Sequence, residues 1–169
     1  MKKMLVVASS LLLANLLSAC ATGGGAPSAR AVLEARSGSS VAGEVVFTGQ
    51  PGGLRVTVAA SGLSPGEHGF HIHEIGDCSA PDATSAKGHY NPAGKAHGHH
   101  ASNDRHGGDL PNLTADARGE ARFAADLPGL TLDEIYGRSV VIHADPDDYK
   151  SQPAGNSGKR VACGVIVRR

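Results

Sequence analysis

The chain lacks an excess of charge of either sign, because its 169 residues include 16 basic and 16 acidic side chains. It carries no basic stripe of the kind that attracts phosphate backbones, so nucleic acid is not an expected partner. It also lacks the periodicity of a long helix and any internal repeat, which argues against a helical bundle and a repeat protein. The chain contains no tryptophan but nine histidines, and the positions of those histidines carry most of the functional information.

The apolar run near the start of the chain is too short to span a bilayer. Two lysines at positions 2 and 3 are followed by an apolar segment that ends at Leu17, and then by small residues. This is the layout of a secretory signal. We therefore predict a signal peptide over residues 1–19 rather than a buried helix, because a glycine-rich stretch follows it directly.

Cysteine is scarce, since the chain has only three, an odd number for an exported protein. Cys20 ends a Leu-Ser-Ala-Cys sequence that resembles a bacterial lipobox, which implies that Cys20 is lipidated and becomes the first mature residue. The alternative is a stray cysteine beside an ordinary cleavage site. Because Ala21 is not acidic, the resemblance implies export to the periplasm and anchoring at the outer membrane. We predict that residues 20–29 form a lipidated, flexible tether.

The remaining cysteines, Cys78 and Cys163, are then left as one pair. An oxidising periplasm allows such a pair to form a disulfide. In the chain-entropy model, closing a loop of about 86 residues stabilises a fold by about 4–5 kcal/mol. We therefore predict a disulfide between Cys78 and Cys163.

Short β-like runs alternate with turn residues along the rest of the chain, which is rich in glycine. In the run 54–60, aliphatic residues alternate with Arg55 and Thr57, the two-residue period of a half-buried strand. The eight runs cover residues 31–36, 41–47, 54–60, 68–73, 110–115, 121–127, 140–144 and 160–167. They predict an all-β, antiparallel sandwich or barrel over residues 30–169.

Two connections between these runs are too long for hairpins, and they cover residues 74–109 and 145–159. Connections longer than about 15 residues are usually functional or disordered. Each of the two begins just after a histidine at the end of a predicted strand, which favours a functional role.

The histidines occur in three clusters along the chain. His71 and His73 are two residues apart on a predicted strand, so both side chains lie on one face, while Phe70 and Ile72 face the core. The second cluster lies in the first long connection and consists of His89, His97, His99, His100 and His106. The third is a single histidine, His143, at the end of a predicted strand. Imidazole suits copper and zinc, and the nearby Asp109 adds a carboxylate that suits zinc. The alternative is a flexible histidine-rich tract that scavenges metal.

Five motifs stand in order along the chain. They are Gly69-Phe70-His71-Ile72-His73-Glu74, Gly88-His89-Tyr90-Asn91-Pro92, His106-Gly107-Gly108-Asp109-Leu110, Val141-Ile142-His143 and Arg160-Val161-Ala162-Cys163-Gly164. In residues and order they resemble the bacterial periplasmic copper–zinc superoxide dismutases, in a lipoprotein form. The resemblance implies an eight-stranded antiparallel Greek-key β-barrel or sandwich with two long functional loops. It also implies an oxidoreductase that disproportionates superoxide to oxygen and hydrogen peroxide.

The resemblance further implies one copper ion and one zinc ion per subunit. The implied copper ligands are His71, His73, His89 and His143, and the implied zinc ligands are His89, His97, His106 and Asp109. The resemblance thus implies that His89 is shared and that its deprotonated ring bridges the two metals as a catalytic residue. The family spacing passes over His99 and His100, so both are expected to be solvent-exposed, with a weak accessory metal site as the alternative.

Three more residues take roles from the resemblance. Asp147 is expected to accept hydrogen bonds from His71 and His97, which would orient one ligand of each metal. Arg160 is expected to be the catalytic arginine that guides superoxide to copper. His68 is expected to serve in packing.

Two rival functions remain open from the sequence. One is a non-enzymatic copper or zinc buffer, and the presence of Arg160 and of a single open copper site argues against it. The other is a copper-only relative, and the intact set of zinc ligands argues against that. Some periplasmic relatives form a dimer contact in the segment between Cys78 and His89, which is short here. The resemblance therefore allows a homodimer without predicting one.

Overall fold

The computed structural model describes residues 26–169. The predicted signal peptide, the predicted lipidation site Cys20 and most of the predicted tether lie outside the described residues. The first strand begins at Ser28, so the last two residues of the segment predicted as a tether belong to the sheet. No helix within residues 26–169 is long and apolar enough to cross a membrane.

The architecture is all-β, as the eight runs predict. Its strands are β1 Ser28–Ala35, β2 Ala42–Gln50, β3 Gly53–Ser61, β4 Gly66–His68, β5 Phe70–His73, β6 Leu113–Ala115, β7 Ala121–Pro128, β8 Ser139–His143, β9 Arg160–Val165 and β10 Val167–Arg168. A 3-10 turn at Thr84–Ala86 and a short helix, α1, at Leu132–Ile135 are the helical elements of the described residues. Helix α1 begins with a capping box in which Thr131 and Glu134 bind each other's backbone N–H.

The strands pair antiparallel in one curled sheet, in the order β5-β8-β9-β1-β2-β3-β7, with β10 also beside β1. Strands β4 and β6 form a separate pair. Because β4 leads into β5 and β6 contacts β7, this pair brings the two ends of the curled sheet together. The neighbours β3–β7 and β5–β8 are far apart along the chain, as in a Greek key. The predicted fold class is confirmed.

Two of the predicted strands are each divided in two. The run 68–73 is interrupted at Gly69, whose N–H donates to the carbonyl of Asp145 and whose carbonyl accepts from the N–H of His143, both at 2.8 Å. The last run is divided at the buried residue Ile166. The Gly69 contacts fasten the start of β5 to the end of β8, which brings the histidines of the two strands side by side.

The core lies inside the curled sheet and follows the predicted alternation. On β3 the aliphatic residues of 54–58 are buried and the two between them are exposed. On β5 every residue is buried. Phe70 and Ile72 join the apolar core, where Phe70 packs edge-on against Phe123 with ring centroids 6.5 Å apart. The alternate residues of β5, His71 and His73, are therefore directed to the other face.

The two long connections follow β5 and β8. The first runs from residue 74 to residue 112, because β6 begins at Leu113 rather than at residue 110. Pro111 has no N–H, and the N–H of Asn112 donates to the Tyr149 hydroxyl at 2.9 Å instead of to a strand. The predicted disulfide is confirmed: it joins Cys78 in the first connection to Cys163 on β9, with Cα atoms 5.7 Å apart.

Candidate metal centre

Four buried histidines from three parts of the fold meet beside the ends of β5 and β8. His71 and His73 lie on one face of β5, and His143 ends the neighbouring strand β8. An isolated β-bridge to His73 holds His89 of the first connection against β5. One ring nitrogen from each of these residues lies within 4.8 Å of the other three. We call His71, His73, His89 and His143 the four-histidine group.

Each ring of the four-histidine group has one buried nitrogen that has no hydrogen-bond partner within residues 26–169. These atoms are His71 Nδ1, His73 Nε2, His89 Nε2 and His143 Nε2. The opposite nitrogens are partnered: His73 Nδ1 lies 2.9 Å from the Lys87 carbonyl, and His143 Nδ1 lies 3.3 Å from the Gly158 carbonyl. Each such Nδ1 carries the proton, which leaves the lone pair on Nε2. Because buried polar atoms without partners are costly, a cluster of free imidazole lone pairs fits a bound copper ion.

Burial keeps the rings of His71, His73 and His143 uncharged at neutral pH. Desolvation lowers the pKa of His71 to about 4, although the hydrogen bond to Asp147 opposes it. Desolvation likewise holds the pKa values of His73 and His143 well below the ordinary value, and the positive charge of Arg160 adds to this effect. A metal ion therefore does not have to displace a proton from the free nitrogens of these three rings.

A second group of four buried side chains shares His89 with the first and also contains His97, His106 and Asp109. Asp109 Oδ1 lies 2.9 Å from His89 Nδ1, 3.0 Å from His97 Nδ1 and 3.3 Å from His106 Nδ1. A tetrahedral zinc site has ligand atoms about 3.3 Å apart, so these separations fit zinc. The other oxygen, Oδ2, accepts the N–H groups of Gly98 at 3.1 Å and His106 at 2.9 Å, which keeps Oδ1 directed at the rings.

His89 lies between the two groups. Its Nε2 is the unpartnered atom of the four-histidine group, and its Nδ1 lies beside Asp109 in the second group. Its ring stacks on that of His71 with centroids 3.9 Å apart. A single deprotonated imidazole at this position can therefore bind one cation on each side.

Asp147 connects the two groups from behind. One carboxylate oxygen accepts from His71 Nε2 and the other from His97 Nε2, each at 2.8 Å. The backbone N–H of Tyr149 donates to the same carboxylate at 2.7 Å. The side-chain amide of Asn112 binds both the N–H and the carbonyl of Asp147, each at 3.0 Å. Asp147 thus sets the ring orientation of one residue in each group.

The two carboxylates stay ionised within the site. Burial raises the pKa of both Asp109 and Asp147, but hydrogen bonds from the histidines outweigh it and hold both pKa values far below the usual range. The reciprocal effect is seen at His97. Burial lowers the pKa of His97, yet the hydrogen bonds to the two carboxylates raise it to about 9. The carboxylates therefore supply negative charge that offsets the charge of a bound cation.

Arg160 begins β9 directly opposite His143 of β8. Its side chain is half-buried, and Nη1 donates to the carbonyl of Ala83 at 2.7 Å. Its charge lowers the pKa values of His73 and His143, so it lies within electrostatic reach of the four-histidine group. Ala83 belongs to the first connection, which the disulfide to Cys163 also fastens to β9. These contacts hold the guanidinium beside the group.

The remaining predicted histidines lie outside both groups. His68 is buried, as predicted, and its nitrogens lie 2.8 Å from the carbonyls of His143 and Ser64. His99 is exposed, as predicted. His100 is only partly exposed, which corrects the prediction, because its ring packs 4.1 Å from that of His99 and 5.7 Å from that of Tyr149.

Sequence reasoning missed three residues that shape the site, namely Asn112, Gln152 and Gly155. Asn112 and Gln152 act through side-chain amides that bind the backbone of Asp147 and His97, 35 and 55 residues away along the chain. Such contacts leave no periodicity or spacing in the sequence. Gly155 has a left-handed conformation with φ of 65°, and its glycine was the one signal that a turn is required there.

Comparisons with known proteins agree with this geometry. Residues 41–166 match the family model for copper/zinc superoxide dismutase. The chain is 44% identical to superoxide dismutase [Cu-Zn] of Deinococcus radiodurans, over 98% of each chain. It is 47% identical to superoxide dismutase [Cu-Zn] 2 of Aquifex aeolicus, over 68% of this chain and 72% of that one. The crystal structure of the clock protein EA4 is similar with a TM-score of 0.76 and 40% identity, covering 86% of this chain and 97% of that one. The chain therefore belongs to the copper/zinc superoxide dismutase family of oxidoreductases.

Proposed function

We propose that this enzyme dismutes superoxide in the cell envelope, with copper held by the four-histidine group and zinc held by the group of His89, His97, His106 and Asp109. Two superoxide anions and two protons then give one oxygen and one hydrogen peroxide. The observation that supports this function most directly is a group of four histidines beside a half-buried arginine. Each ring has one unpartnered nitrogen, and one nitrogen from each ring lies within 4.8 Å of the others.

Bound copper supplies one-electron redox chemistry, accepting an electron from one superoxide and returning it to the next. The side chains supply charge, orientation and protons. Arg160 stays charged at any working pH and offers paired donors to a small anion. Because Nη1 is fastened to the Ala83 carbonyl, the guanidinium keeps its place as superoxide anions arrive and leave.

His89 supplies a proton as well as the link between the groups. Between the two half-reactions its Nε2 would take up a proton when it is not bound to copper, while Nδ1 stays beside Asp109 in the second group. The ring then donates that proton to the departing peroxide and becomes deprotonated again. Nε2 has no hydrogen-bond partner among residues 26–169, so it can hold this proton whenever it is not bound to copper.

The second group has four protein ligands, which is the pattern of a closed, structural zinc site. Zinc there would fix Nδ1 of His89 and hold the first connection against β5. Asp147 would extend this ordering to the four-histidine group, because its carboxylate binds both His97 and His71. Zinc is thus proposed to shape the copper site without meeting the substrate.

The proposed location is the periplasm, with the mature chain anchored at the outer membrane through lipidated Cys20. The lipobox-like sequence before Cys20 supports the anchor, and a disulfide in the folded part of the chain suits an oxidising compartment.

A homodimer is part of the proposal only as an arrangement that the resemblance allows. Val32 and Val167 are 55% and 47% exposed on the paired strands β1 and β10, and sedimentation velocity tests whether such a surface is shared.

Metal analysis combined with an activity assay tests the function. We expect equal amounts of copper and zinc in the purified protein and rapid loss of superoxide in pulse radiolysis. Both metals without activity would indicate a metal buffer. Full activity with copper alone, in protein that takes up no zinc, would indicate a copper-only enzyme.

A further inference from the structure

The second long connection binds the backbone of the zinc-group residue His97. Gln152 Oε1 accepts from the N–H of His97, and Gln152 Nε2 donates to the carbonyl of His97, both at 2.8 Å. One side-chain amide therefore satisfies both backbone groups of residue 97, as a neighbouring strand would. The two residues are 55 positions apart, so this contact joins one long connection to the other.

The turn that follows Gln152 also covers the side chain of His97. At Gly155 a Cβ atom would lie 1.8 Å from Asp147 Oδ1 and 2.8 Å from His97 Nε2. Those two atoms form the hydrogen bond that orients the His97 ring. The turn itself is closed by bonds from Gly155 N–H to the Ser151 carbonyl at 2.7 Å and from Asp148 N–H to the Gly155 carbonyl at 2.9 Å. Residues 151–155 thus fit closely over the pair of His97 and Asp147.

Among the members of the second group, His97 depends most on contacts from the second long connection. Isolated β-bridges hold His89 against His73 and Asp109 against His71, so two members are fastened to β5 by their backbones. The segment around His97 has no strand partner among the described residues. Its backbone N–H and carbonyl are instead bound by the amide of Gln152.

We propose that Gln152 is a positioning residue that holds His97 in the zinc site and slows the release of zinc. This role rests on the proposed function, since it requires the second group to bind zinc. Gln152 is itself exposed, so water replaces part of what it provides. We therefore expect its loss to speed zinc release about tenfold, which corresponds to about 1.4 kcal/mol. Copper content should not change, because the hydrogen bonds of Gln152 reach only His97 and Lys150.

Three variants of the full-length, fully metallated enzyme test this role. Gln152→Met keeps the length of the side chain but removes both hydrogen bonds, and Gln152→Ala also removes its bulk. Gln50→Ala is the matched control, because Gln50 is the only other glutamine and lies exposed on β2. Zinc release to a chromogenic chelator gives the rate, and the visible spectrum of cobalt(II) placed in the zinc site reports ligand geometry. We expect both Gln152 variants to release zinc about tenfold faster and to shift the cobalt spectrum, while Gln50→Ala matches the wild type.

A wild-type rate in Gln152→Met would overturn the positioning role, whatever Gln152→Ala does, because methionine covers the site without binding the His97 backbone. Equal acceleration in Gln50→Ala would overturn it too, since the effect would then be a general loosening. A wild-type protein that binds no zinc would overturn the proposed function and this role together. That outcome is visible before any variant is made, so the two failures are distinguishable.

Discussion

Replacement of Arg160 by alanine is expected to slow superoxide turnover without loss of metal. Arg160 lies opposite His143, and its guanidinium donates to the Ala83 carbonyl. It contributes no atom to either metal group. The variant therefore removes a positive charge from beside the four-histidine group and leaves the ligands in place.

The size of the effect follows from the distance. For a superoxide bound about 5 Å from the guanidinium, the attraction is worth about 3 kcal/mol at an effective dielectric of about 20. Arg160 is only half-buried, so solvent and salt reduce this value. We expect a loss of about 1.4–2.7 kcal/mol, which is a tenfold to hundredfold slower reaction. Lysine should give an intermediate rate because it keeps the charge but loses the paired donors, and Arg160→Glu should be slower than Arg160→Ala.

Pulse radiolysis on fully metallated variants at low and moderate salt measures these rates. Arg55→Ala is a suitable control, because it removes the same charge from an exposed ion pair with Asp126 on β3 and β7. The difference in turnover rate between the wild type and Arg160→Ala should become smaller as the salt concentration rises. A wild-type rate in Arg160→Ala with both metals intact would remove Arg160 from the mechanism.

Three further changes test the zinc group and the anchor. His97→Ala should lose zinc and keep copper in metal analysis after dialysis, whereas His99→Ala should keep both; equal zinc loss would show that the wrong histidine was assigned. Gly155→Ala should weaken zinc binding by about tenfold to a hundredfold in a chelator competition, because its Cβ displaces the hydrogen bond between Asp147 and His97; unchanged affinity would contradict the close fit. Cys20→Ser should move the protein from the membrane fraction to the soluble fraction or leave it unprocessed. A processed variant that stays membrane-bound would disprove lipidation.

The strands and the disulfide could be predicted from the sequence because their signals are local or simple to count. The alternation of aliphatic and polar residues over 54–58 predicts a strand with one buried face, and this prediction does not depend on which strands lie beside it. Two cysteines left over after Cys20 allow one pairing. The boundaries were less predictable: β6 begins at Leu113 because the N–H of Asn112 binds Tyr149, a contact that no local pattern reveals. Helix α1 did carry a signal, the Thr131 and Glu134 capping box, but it is only four residues long.

The residues that could bind metal were predictable from the amino-acid sequence, since the histidines recur in motifs whose order identifies a family. The shared face of His71 and His73 was predictable too, because the two-residue period of a strand requires it. The way in which the rings are held depends on contacts between distant parts of the chain. The pairing of β5 with β8, the turn over His97 and the amides of Asn112 and Gln152 all join parts of the chain that are far apart in sequence. Their geometry comes from packing and from the need to satisfy the hydrogen bonds of buried backbone groups. The spacing of residues along the chain predicts neither of these.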